Sequence, residues 1–346
     1  MVLGRGSVLL GLGLFIHHPL SLEHDTGAHP ENARRVVAIE RRLAAEGWHG
    51  LERVEAPAAT DEQLERVHSR AHIEAIEAIS AGGGGMIDVD TVASARSYEA
   101  ALRAAGGAID AAGRLLEGEE RFAFCALRPP GHHAETGRAM GFCLFNNIAC
   151  AVAHALAASS AERVMVIDWD VHHGNGTQEI FYGSAAVLYA SIHQSPLYPG
   201  TGGTAEAGSG EGDGYTVNLP VPPGSGSDEF LSLVQHVLAP LARGFRPDLI
   251  AISAGYDAHR DDPLAECAVE TAAYGEMAAT LRDVAAELGA PVLVCLEGGY
   301  ALEALADSVS ATIAAFTGSM GTRAAPPQPA LEYLGRLPER WATLRK

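Results

Sequence analysis

What this chain has little of already removes whole classes of function. Only 24 of its 346 residues are Lys or Arg, against 43 Asp or Glu, for a formal net charge of -19. Such a field repels nucleic acid, and no basic stripe or RNA-binding motif is present to offset it. A lysine-rich peptide or a polyamine would fit that field, although acidity is more often a solubility device. Cysteine is scarce too: Cys125, Cys143, Cys150, Cys267 and Cys295 are odd in number and show no Cys-x-x-Cys spacing, which excludes a disulfide framework. They read as buried free thiols of a reducing compartment, so a cytoplasmic location is expected. No stretch reaches the roughly 18 apolar residues a membrane span needs. Val8 to Ile16, behind Arg5, resembles the apolar core of a secretory signal, but His17-His18-Pro19 follows rather than a small-residue cleavage site. A buried first strand is the expectation there.

What is present suits a large globular core: 47% hydrophobic residues, 39 Gly and many Ala. Helical spacing runs from Glu31 to Glu46, Thr60-Asp-Glu-Gln63 has the form of a capping box, and Ser97 to Leu116 is an Ala-rich helix. The Gly82 to Gly85 run reads as a turn. From residue 122 the pattern alternates, with strands at 122–127, 163–168, 187–192, 215–219, 248–253 and 292–296. Helices fall near 145–158, 228–243, 266–288 and 301–316. Repeated βα units imply a parallel sheet with helices on both faces, an α/β fold. Chemistry-bearing residues spread from His132 to Tyr300 favour one domain, taken as 1–320, with a Pro-rich tail at 321–346 packing on it.

Four of those strands end in polar clusters: Gly131-His132-His133, Asp168-Trp-Asp170-Val-His172, Tyr256-Asp257 and Gly298-Gly-Tyr300. Ligands bind outside the carboxyl ends of strands in open α/β sheets, so the clusters converge in space. If extended geometry persists beyond the strand, Asp170 and His172 leave the same side and grip one ion, with Asp257 as third ligand. Two carboxylates and one imidazole leave Zn, Fe, Co and Mn open. His132 and His133 offer imidazoles for proton transfer, Asp168 and Asn175 partners to orient them, and Tyr300 a phenol for a developing oxyanion.

Taken together, Arg128-Pro-Pro-Gly-His-His-Ala134, Gly141-Phe142, Asp168-x-Asp170-x-His172-His-Gly-Asn175-Gly-Thr-Gln178, Ser253-Ala-Gly-Tyr-Asp257 and Glu297-Gly-Gly-Tyr300 resemble the zinc-dependent histone deacetylase family, in its class II and bacterial amidohydrolase branch. The resemblance runs from about His17 to Phe316. It implies a single-domain three-layer αβα fold around a mostly parallel eight-stranded sheet, shared with arginases. By the same resemblance Asp170, His172 and Asp257 hold one Zn2+, His132 and His133 are the acid/base pair, Asp168 partners His132, and Tyr300 polarises the amide carbonyl. Gly141, Phe142 and Tyr198 would line a narrow tunnel, and Asp90 would bind the substrate backbone at its rim. A structural K+ is expected near Asp168 and Ser191, with Phe181, Val187 and Tyr215 as further candidates.

Two features within the family carry information. Asn175 stands where some branches have Asp, which leaves His133 without a carboxylate partner. Leu264 occupies the place of an acidic gatekeeper found in polyamine-specific relatives. The expected reaction is hydrolysis of acyl-lysine in a peptide or protein. Alternatives are an acetylpolyamine amidohydrolase, a non-catalytic acyl-lysine binder and a binuclear manganese ureohydrolase. Physiological substrate, acyl-chain preference and oligomeric state stay open.

Overall fold

The computed structural model describes residues 13–118, 120–158, 161–318 and 320–345. Among the described residues ten strands form two sheets: β1 (Leu14–His17), β2 (Glu52–Glu55), β3 (Gly84–Met86), β4 (Val92–Ser94), β5 (Phe122–Cys125), β6 (Val164–Asp168), β7 (Val187–Gln194), β8 (Thr216–Val221), β9 (Leu249–Ala254) and β10 (Val292–Leu296). Eight of them make one sheet in the order β2-β1-β5-β10-β9-β6-β7-β8. Every pairing in it is parallel.

Side chains of the central strands divide by the two-residue period of a strand. Phe122, Phe124, Met165, Ile167, Ile250, Ile252, Val292 and Val294 join one core cluster. Their neighbours Ala123, Cys125, Val164, Val166, Leu249, Ala251, Leu293 and Cys295 join the other. Helices Arg34–Ala45, Thr271–Leu288 and Leu302–Thr317 cover the first face, and Ser97–Glu117 and Asn147–Ala158 cover the second. Burial on both faces is why these strands read as unbroken apolar runs. The three-layer α/β architecture expected from the sequence is therefore present. Its consequence for function is placement: β5, β10, β9 and β6 are neighbours, and their carboxyl ends open on one edge.

Several elements depart from the sequence expectation. β2 is an edge strand whose residues Glu52, Arg53, Val54 and Glu55 are mostly solvated, so no apolar pattern announces it. Gly84 and Gly85 belong to a strand rather than a turn, paired antiparallel with β4. At Gly84, φ is +97° and a Cβ would stand 2.4 Å from the Ala93 carbonyl oxygen, so glycine is required by close approach as well as by backbone angle. The helix expected from 266 begins at Thr271. Residues 1–12, which include most of the expected first strand, lie outside the described residues. The capping box at Thr60 and Gln63 forms as expected.

Toward its end the chain lies against the domain. Helix Gln328–Arg336 buries Ala330 and Tyr333, and the Tyr333 hydroxyl donates to the Pro220 carbonyl at 2.8 Å. Trp341 is buried, with its indole N–H donating to the Gly214 carbonyl at 2.8 Å. If this tail is part of the folding unit, Trp341→Ala should lower unfolding free energy by about 3 kcal/mol. Denaturant titration measures this, and an unchanged midpoint would show the tail to be dispensable.

Candidate active site

Where β6 ends, the backbone bends instead of continuing extended. Asp170 N–H donates to Asp168 Oδ1 at 3.2 Å, and His172 N–H donates to Asp170 Oδ1 at 2.9 Å. The expectation that strand alternation alone would align Asp170 with His172 is corrected: side-chain-to-backbone bonds two residues apart do it. Asp257 arrives from β9, its Oδ1 accepting the Val171 N–H at 3.0 Å. His172 Nδ1 lies 3.1 Å from Asp170 Oδ1 and 3.2 Å from Asp257 Oδ2. One ligand atom from each of the three falls within 4.8 Å of the others, and all three residues are buried. No second group of this kind occurs among the described residues.

Clustered buried carboxylates need a counter-charge. Burial alone would lower the His172 pKa, but Asp170 and Asp257, as acceptors beside its ring, lift it to about 10. Backbone approaches the same carboxylates closely. Gly298 N–H donates to Asp170 Oδ2 at 2.8 Å, and a Cβ at Gly298 would lie 2.0 Å from Asp257 Oδ2. Glycine is the residue that permits this contact.

The loop after β5 brings two imidazoles beside the cluster, their ring centroids 4.0 Å apart. His132 Nδ1 sits 3.0 Å from Asp168 Oδ2, which also accepts from the Tyr189 hydroxyl at 3.2 Å. His133 Nδ1 sits 2.8 Å from Asn175 Oδ1. Asn175 Nδ2 donates to Glu135 Oε1 at 2.8 Å, so the amide oxygen is turned to the imidazole and Nδ1 of His133 carries its proton. Their electrostatics diverge. Burial would lower His132, yet Asp168, Asp170 and Glu297 outweigh it and lift it to about 10. Burial holds His133 well below its usual value, reinforced by charge on His132 and His172. A neutral amide in place of a carboxylate at Asn175 does little to oppose that.

Above these groups lies a cavity of about 190 Å³, walled by Pro130, Gly141, Phe142, Leu197, Tyr198 and Leu264, with His132, His133, His172, Gly298, Tyr300 and Asp90 completing it. Phe142 and Tyr300 meet edge to face at 5.9 Å, and Tyr198 meets His133 the same way at 5.1 Å. Phe142 itself has φ of +70°, an unfavourable region for a side chain of that size. Burial, then the charge of Asp257, keeps the Tyr300 phenol protonated by pushing its pKa well above the usual value. Asp90 lies on the turn between β3 and β4; the Thr91 hydroxyl beside it donates to Asp90 Oδ1 at 3.3 Å and accepts the Phe142 N–H at 3.1 Å.

Five residues expected around a potassium ion do not gather at one place. Asp168, at the carboxyl end of β6, pairs with Ser191 midway along β7, whereas Val187 pairs with Val164 where both strands begin. Four residues of strand rise separate Val187 from Ser191 by about 13 Å. Tyr215 belongs with the Val187 end, its carbonyl accepting the Tyr189 N–H, and Phe181 closes helix Asn175–Phe181. A single ion cannot touch all five.

Other residues carry the site without having drawn notice in the sequence. Arg35, fully buried, donates from Nε to the Gly299 carbonyl at 2.6 Å and from Nη2 to the Glu297 carbonyl, and its guanidinium lies 5.0 Å from the Tyr300 ring centroid. Glu31 holds both Arg35 and Arg128. Asp262 Oδ2 accepts the Tyr300 N–H at 2.6 Å. The sequence signal for these was thin: one Arg among several in an amphipathic helix, or Asp in a loop, is ordinarily a surface residue.

Three comparisons agree on what this arrangement is. A histone deacetylase domain model matches residues 29–316. The chain is 40% identical over 295 residues to a probable deacetylase of Archaeoglobus fulgidus, covering 84% of this chain and 82% of that one. It is 39% identical over 300 residues to a histone deacetylase-like amidohydrolase of Pseudomonas aeruginosa, covering 86% and 78%. Among solved structures it superimposes on the HDA15 HD domain with a TM-score of 0.88 and 39% identity, covering 96% of each chain. The chain belongs to the histone deacetylase family, as a hydrolase of the deacetylase kind.

Proposed function

We propose that this protein hydrolyses the amide of acyl-lysine side chains in peptides or proteins, using one zinc ion held by Asp170, His172 and Asp257. The observation that carries the reading is the coincidence of that buried ligand cluster with two imidazoles and a phenol at the floor of one narrow cavity. Two carboxylate oxygens and an imidazole nitrogen suit zinc with a position left for water and substrate. An ion there supplies Lewis acidity toward the amide carbonyl and a water of lowered pKa.

The chain's own groups supply the rest. His133, held neutral by burial, presents Nε2 as a base to the attacking water. His132, charged beside Asp168, gives a proton to the departing amine. Environments that push two neighbouring imidazoles apart in proton affinity are what an acid and a base require. Tyr300, protonated and placed by Asp262 and Arg35, donates a hydrogen bond to the oxygen that gains charge. Phe142, Tyr198 and Leu264 suit an aliphatic stem, and Asp90 suits the backbone of a polypeptide at the rim. Leu264 offers no charge to a second ammonium, which favours acyl-lysine over an acetylated polyamine. We assign the catalytic unit to residues 1–320 with the tail packed on it.

Two measurements test this reading. Tyr300→Phe should lower kcat by about 100-fold or more while metal content stays at one per chain, since removal of one oxyanion donor costs about that much. Unchanged turnover would refute the oxyanion role. Metal affinity should fall as pH falls, because the proton that Asp170 and Asp257 favour on His172 competes with the ion. Affinity that does not change with pH, or is unchanged in His172→Ala, would contradict His172 as a ligand.

A further inference from the structure

The imidazole loop has no regular secondary structure of its own, so something else must fix its height over the ligand cluster. Glu297, the residue that follows β10, is fully buried and spans three neighbouring strands. Its Oε2 accepts two consecutive backbone donors of the loop after β5, Gly131 N–H at 2.7 Å and His132 N–H at 3.2 Å. Its Oε1 accepts the Ser253 hydroxyl of β9 at 3.0 Å. The next residue, Gly298, donates to Asp170. One side chain thus ties the acid/base loop to the segment that carries Tyr300 and touches a metal-ligand carboxylate.

We propose that Glu297 is a positioning residue for catalysis: by accepting both loop N–H groups it sets where His132 and His133 stand relative to the ligand cluster and Tyr300. This rests on the reading of those histidines as the proton-transfer pair. The requirement is for an acceptor, not for a charge. A glutamine placed there can turn its amide oxygen to the two N–H groups and its Nε2 to the Ser253 hydroxyl, which then accepts.

The test compares Glu297→Gln with Glu297→Ala in zinc-loaded full-length protein, by steady-state kinetics on an acetyl-lysine peptide, the pH profile of kcat/KM, metal content and hydrogen exchange of the 128–133 segment. Alanine should lower kcat by about 100-fold, the scale of an ångström misplacement, with KM within about threefold and faster exchange at Gly131 and His132. Glutamine should restore kcat at the pH optimum to within about fivefold of wild type, with wild-type exchange, while the basic limb of the profile moves to lower pH because His132 loses one of the charges that lift it. A glutamine variant as impaired as alanine at its optimum, or one with fast exchange at Gly131 and His132, would overturn the proposal in favour of a charge role. If alanine does not fold, the glutamine result alone decides. A His132→Ala, His133→Ala double variant runs alongside: if it turns over normally the assigned function fails, whereas an inactive double variant beside a fully active Glu297→Ala sinks only the positioning role.

Discussion

Negative charge that cannot reach solvent is the constraint around which this site is organised. Asp168, Asp170, Asp257 and Glu297 are all buried at the carboxyl ends of adjacent strands. Each is met by a different kind of partner. Asp168 takes an imidazole and a phenol, Glu297 two backbone amides and a hydroxyl, and Asp170 with Asp257 share one imidazole and the backbone of Val171 and Gly298. Asp170 and Asp257 are the place where two carboxylates converge on one imidazole, which neutralises at most one of them. That shortfall is what the proposed divalent ion would make good.

Much of this was legible because the relevant residues obey local rules. Parallel strands buried on both faces give uninterrupted apolar runs, and polar residues just past them fall on one edge of the sheet, so Asp170, His172, Asp257, His132, His133 and Tyr300 could be grouped before any coordinates. What stayed hidden obeys tertiary rules. Glu297 sits in a motif that was visible, but its role depends on a loop 165 residues away in sequence. Arg35 looks like one more charged position on the helix Arg34–Ala45, yet it is fully buried against Gly299 and Tyr300. β2 carries too little apolar character to be seen, since only pairing with β1 defines it. For the potassium candidates the limit is geometric: a list of residues carries no strand rise, and Val187 and Ser191 stand about 13 Å apart along β7, so the five cannot share one ion.

The two histidines show how similar residues are given unlike properties by their neighbours. A carboxylate behind one and an amide behind the other separate their proton affinities, although their rings nearly touch. The cavity walls divide in a similar way. They are apolar at Pro130, Phe142, Leu197 and Leu264, carry imidazoles and a phenol at the floor, and include one carboxylate, Asp90.

The central claim is that a single ion joins Asp170, His172 and Asp257. Anomalous diffraction from zinc-loaded crystals, recorded either side of the zinc absorption edge, tests it most directly. One peak per chain, within about 2.0–2.2 Å of His172 Nδ1 and of an oxygen from each aspartate, is the predicted result. A peak elsewhere, or a second ion of equal occupancy beside the first, would contradict it.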